Sequence, residues 1–268
     1  MLRLQQPETL TYSDLHHSQR RSFFLATRIF EISRSLIFSS PTFLSSPEWT
    51  AALAGLWEGE GAVMWHPKEA LFDILPLISE LSIRTVRFCV EAPQLSRHTR
   101  CALVKSLGNE GLILQSSLQE WCAGAMTWGD AIQNGVSHLP GQSKPDTELL
   151  IGYMYYHATK IYLSGTYDYH PHWTCADAPI LPRTAINWHV SEILRISHEL
   201  LAQGIAGVLL FFLLRVAGAR ATDDRSRRHI LNLLQTTASR GYVVAGAFTI
   251  DLSDLWARKD MECPIEED

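Results

Sequence analysis

Apolar residues recur at helical spacing along almost the whole chain, and nowhere do they alternate as in a half-buried strand. Leu25, Ile29, Ile32 and Leu36 mark one face of a first helix, which Pro41 stops. Ser46, Pro47 and Glu48 then supply an N-cap, a first-turn proline and an acid where the helix dipole favours it. Gly59 and Gly61 are read as the end of that helix. Pro67 opens the next, whose face is Leu71, Ile74, Leu75, Ile78 and Leu81, with Pro76 inside it as a kink. The spacing predicts a short helix over 97–107 ended by Gly108 and another over 112–126. A Gly/Ser/Pro loop follows at 135–145.

Helix resumes at 146–165, with Leu150, Met154, His157 and Ile161 on one face. Residues 166–182 are aromatic, contain three prolines and read as irregular. Residues 184–220 read as one long helix or as two joined near Gly204. Thr222 or Asp223 caps a helix facing inward through Ile230, Leu233, Leu234 and Thr237, and Gly241 is its left-handed C-terminal residue. A last helix carries Val244, Phe248, Leu252 and Trp256, and residues 261–268 form a frayed acidic tail. No Asn-Gly or Asp-Gly hairpin turn is present. The expectation is an all-α multi-helix bundle of eight to ten packed helices, with 1–268 as a single domain.

Composition narrows the function classes. The chain has 268 residues, 46% hydrophobic and 19% charged, with net charge −5. That apolar fraction is too high for a disordered chain. The acidic balance argues against holding nucleic acid by bulk charge. The longest apolar run, 204–214, is too short to span a bilayer and reads as a buried helix, so no membrane partner is expected. Cys89, Cys101, Cys122, Cys175 and Cys263 are dispersed and odd in number, as expected of free thiols in a reducing compartment.

Motifs for chemistry are sparse. Gly59-x-Gly61 is a fragment of a dinucleotide loop and reads as a turn, and His198–Glu199 has no second histidine one turn away. Asp223–Asp224–Arg225 reads as capping, and the carboxylate pairs Glu58/Glu60 and Asp251/Asp254 have no group beside them that would tune them. His170, His172 and Cys175 could ligate a metal, but no partner cluster has zinc spacing. The preferred reading is an aromatic loop on the core with histidines at its rim, and neither metal nor cofactor is assigned. The basic stretches at 19–21 and 225–229 could meet phosphate or an acidic partner and are read as solvated faces. Aromatics on the 146–165 helix either fill the core or line a pocket. The candidate ligand pocket is Tyr153, Tyr156, His157, His170 and Trp173, with no catalytic residue assigned.

Three blocks carry a family resemblance: residues 28–49 (RIFEISRSLIFSSPTFLSSPEW), 155–169 (YYHATKIYLSGTYDY) and 207–220 (GVLLFFLLRVAGAR), the last followed by RGYVVA at 240–245 and by 252–256. Together they resemble the α-helical regulatory domain of fungal-specific transcription factors. The resemblance implies a nuclear transcription regulator, working through the transcription machinery or another regulator and often tied to secondary-metabolite gene clusters. It leaves room for a small-molecule effector and a homodimer. The six-cysteine zinc cluster of these factors, with its linker and coiled coil, is not within these 268 residues, so direct DNA contact is not expected from them. The chain is then a piece of a longer factor or a stand-alone relative. The rival readings are a cytoplasmic pathway enzyme, an isomerase or cyclase on the same scaffold, and a co-regulator that binds a full-length family member.

Overall fold

A computed structural model describes residues 15–57, 65–135, 146–174 and 176–262. Among the described residues there are nine α-helices and no strand: α1 (Leu15–Phe38), α2 (Pro47–Gly55), α3 (Pro67–Glu91), α4 (Arg97–Gly135), α5 (Thr147–Asp168), α6 (Arg183–Ala202), α7 (Phe211–Arg220), α8 (Asp224–Ser239) and α9 (Val244–Glu262). The all-α expectation holds. The chain divides into two compact units, Met1–Gly152 with Leu163–Ile180, and Tyr153–Tyr162 with Leu181–Asp268.

In the first unit α3 lies against both α1 and α4. Of the predicted α3 stripe, Leu71, Leu75, Ile78 and Leu81 are fully enclosed and Ile74 is half-buried; on α1, Ile29, Ile32 and Leu36 are buried and Leu25 is half-buried. Helix starts are fixed by side chains. The His66 Nδ1 accepts from the Lys68 N–H at 3.0 Å, so its Nε2–H donates to Asp146, 3.1 Å away. Asp146 in turn accepts from the N–H groups of Glu148 and Leu149 at the head of α5. Burial would raise the Asp146 pKa, but these hydrogen bonds hold it below the usual carboxylate range. Trp121 of α4 donates its indole N–H to the Pro67 carbonyl at 2.7 Å.

In the second unit α7 touches α6, α8 and α9, and α8 lies along α9. Leu210, Leu213, Leu214, Ile230 and Leu234 are fully buried. Trp256 donates to the Gly218 carbonyl at 2.9 Å while the Arg227 guanidinium sits 5.4 Å above its ring, pinned by Asp260. Asp223 caps α8 by accepting from the Ser226 N–H at 2.8 Å.

Several boundaries differ from expectation. The helix begun at Pro47 ends at Gly55, and Gly59 and Gly61 fall outside the described residues. Residues 97–107 and 112–126 belong to one helix, because the α-helical ladder runs straight through Gly108. That glycine is there for space: a Cβ on it would collide with the Asp177 carbonyl of the segment that crosses α4. Gly108→Ala must push that backbone away and should cost about 1–3 kcal/mol, measured as a lowered midpoint of chemical denaturation. The α5 helix continues past Gly165 to Asp168, so the irregular segment begins later than expected. The chain does break near Gly204, at φ +85°, and the apolar run beyond it is a turn and a short 3-10 segment before α7. Gly241 follows α8 at φ +94°, as expected. The remainder of the 135–145 loop and of the acidic tail lies outside the described residues.

Candidate functional site

In the second unit, α5 and α6 bring two histidines into direct contact. His157 Nδ1 and His189 Nδ1 are 2.8 Å apart, and both residues are buried. Burial, and secondarily the charge of Arg195, lowers the His157 pKa to about 4; burial, then His157 and Lys160, lowers that of His189 to about 3. Both rings are therefore neutral near pH 7. One Nδ1–H donates to the other ring's Nδ1 lone pair, and this fixes the tautomers. The donor ring is left with an acceptor Nε2, and the acceptor ring with a donor Nε2–H. Exchanging the two tautomers reverses that polarity without moving a heavy atom. Tyr156 and Trp188 pack edge-on or tilted against the rings, with centroids 5.2 and 5.0 Å from His157. Trp188 is 54% exposed, so this polar pair lies beneath an aromatic that reaches the surface.

The lowered values set a pH dependence. The reference histidine value is near 6.5. Between about pH 6.5 and 4 the unfolded chain takes up protons that the folded pair refuses, so stability falls as pH drops through that window. Replacing both residues, His157→Gln with His189→Gln, should flatten this part of the stability-versus-pH curve. Urea denaturation at half-unit pH steps, with the histidine ring signals followed by NMR, checks it.

Of the predicted pocket residues, Tyr153, Tyr156 and His157 lie in the second unit and His170 and Trp173 in the first. Tyr156 and His157 touch through their rings. The other α5 tyrosines mark core: Tyr155 is sealed, donates to the Leu209 carbonyl and stacks on Phe212, which also meets Tyr162. Sequence reasoning did not single out His189 or Trp188. Their signal was a histidine placed between Ile186, Val190 and Ile193 on the buried face of α6.

In the first unit, Trp173 closes the aromatic segment onto the core. It is 1% exposed, donates to the Val104 carbonyl at 3.2 Å, and meets Tyr167 and Phe88 edge-on. His170 and His172 sit half-buried around it, as the preferred loop reading expects. Beside it a cleft of ≈ 450 Å³ is lined by Arg100, Lys105, Asn109, His172 and Asp177. Cys175 and Cys263 lie outside the described residues, and Cys89, Cys101 and Cys122 are not in disulfides. Among the described residues, no three His, Cys, Asp or Glu side chains are grouped to hold a metal ion. Glu58 and Glu60 also lie outside them, while Asp251 is an exposed partner of Arg215 at 3.1 Å. No helix of the described residues is long and apolar enough to cross a membrane.

Among the described residues the chain is all-helical, with small polar clusters set between its helices. The profile of the fungal-specific transcription factor domain matches residues 2–267, and the chain belongs to that family of transcription regulators. No curated protein and no solved structure matches it.

Proposed function

We propose that this domain is the regulatory part of a nuclear transcription regulator that controls a secondary-metabolite gene cluster. The observation that carries the reading is the family match over residues 2–267. The domain works by contact with the transcription machinery, with another regulator or with a second copy of itself. The net charge of −5 favours protein contact over bulk-charge contact with DNA. A small-molecule effector binds at Tyr153, Tyr156 and His157 in the second unit, where the paired imidazoles offer one donor and one acceptor. An effector acts only through a difference in affinity between two states of the domain.

Two experiments test this. Fusing the chain to a heterologous DNA-binding domain should change reporter output, and deleting the gene should change the transcript levels of a physically linked set of biosynthetic genes. A reporter and a transcript profile that both stay unchanged would overturn the proposal. The donor–acceptor imidazole pair also favours a second reading, an isomerase that moves a proton between two substrate atoms. Catalytic bases work best with pKa values near the working pH, and these lie well below it, so the regulator reading stands first. Turnover of a pathway intermediate by the purified chain, lost in His157→Gln, would reverse that order.

A further inference from the structure

The basic stretch at 225–229 does more than face solvent. Arg227 is taken up by Asp260 and Trp256, but Arg225 and His229 turn to a cleft of ≈ 580 Å³ between α6 and α8. From α6 the cleft receives Arg195 and His198, with Leu194 as its apolar wall. We propose that this cleft binds a small hydroxylated anion, a hydroxy acid or a phosphorylated polyol.

The lining of the cleft brings two arginines and two histidines together with a single carboxylate, Asp223. Arg195 is neutralised on its own helix, 2.9 Å from Glu192 and 3.5 Å from Glu199. Among the described residues Arg225 has no ion-pair partner. The rings of His198 and His229 meet edge-on with centroids 6.2 Å apart. His229 is held below its ordinary pKa, first by burial and then by the nearby charges of His198 and Arg225. Gathering cation-forming groups in one concave site opposes folding, and an anion between them removes the opposition. The hydroxyls are spoken for: Ser191 donates to the Trp188 carbonyl and Ser226 to Asp223. Charge-assisted contacts to the anion therefore fall to Arg225, His198 and His229. Asp223, whose Oδ1 accepts the cap bond from Ser226, is the cleft's acidic wall. It repels a bare polyanion and accepts from a hydroxyl beside the acidic group, which selects a hydroxylated ligand. The volume suits a small metabolite.

Citrate and glycerol phosphate are the probes, titrated into the full chain while the ring signals of His198 and His229 are followed by NMR. Inorganic phosphate and chloride serve as comparators. The expected result is a saturable shift of both rings, tighter for whichever probe matches the cleft than for inorganic phosphate. Arg225→Ala should weaken it about tenfold, the size of one charge-assisted contact. Arg258→Ala, an exposed charge on α9, should leave it unchanged. Circular dichroism confirms that each variant is folded. A shift that fails to saturate, that chloride reproduces, or that Arg225→Ala leaves unchanged would overturn the site. The readout is binding alone, so its failure leaves the regulator reading to its own reporter test.

Discussion

Arg28→Ala is expected to destabilise the first unit by about 3–5 kcal/mol at neutral pH. The Arg28 guanidinium has no exposed side-chain surface and bridges α1 to α3. It lies 2.6 Å from Glu69 and 2.6 Å from Asp73, and also donates to the Glu69 carbonyl at 2.9 Å. Removing it leaves the nearly sealed Glu69 carboxylate facing only Lys68, and Asp73 facing no cation in that cluster. Burial outweighs the attraction of Arg28 at Asp73, whose pKa is raised even with the pair intact. Losing Arg28 raises it further. The penalty of Arg28→Ala should therefore shrink as pH falls and the carboxyls protonate. Arg28→Met with Glu69→Gln removes the sealed charge pair together, leaves only the more exposed Asp73 without its cation, and should cost less, because a well-packed apolar replacement recovers desolvation energy. Urea denaturation at pH 7 and pH 4.5 checks both variants; equal losses for the single and the double variant would show that packing, not charge, is what Arg28 supplies.

Trp173→Ala should cost about 3–5 kcal/mol. The indole fills the space between Phe88 of α3, Tyr167 of α5 and the backbone of α4, and satisfies the Val104 carbonyl. Tyr167 makes a parallel bond, its hydroxyl donating to the Leu107 carbonyl at 2.8 Å. Without the indole, residues 169–174 and 176–180 lose an anchor on α4. Amide hydrogen exchange should speed up there and at Val104, while exchange in α8 and α9 stays as it was. Trp173→Phe keeps most of the apolar volume, loses the donor and should cost markedly less. Uniform acceleration along the whole chain would instead mean that Trp173 supports global folding and not this anchor.

Local chemistry made much of this fold legible. The α3 stripe from Leu71 to Leu81, the helix start at Pro67, the cap at Asp223 and the left-handed Gly241 are written in short-range spacing and dihedral preference, and the structure follows them. Gly108 misled for the same reason. Glycine weakens a helix locally, but here its missing side chain admits the Asp177 backbone, a partner 69 residues away in the chain.

The candidate site divides along the same line. His157 and Tyr156 stood out because they share a helix with other aromatics. His189, 32 residues further on, is joined to His157 only by the packing of α6 beside α5. Burial makes both imidazoles neutral, and that contact gives the pair its donor and acceptor ends. Likewise, residues 225–229 read as a uniform basic run, and burial sorted them, sending Arg227 to Trp256 and Asp260 and leaving Arg225 and His229 to the cleft. The sequence by itself determined the helices, their inward faces and the family. Tertiary structure decided which polar side chains meet, because a hydrogen bond or an ion pair depends on ångström distances between residues far apart in the chain, which helical periodicity does not encode.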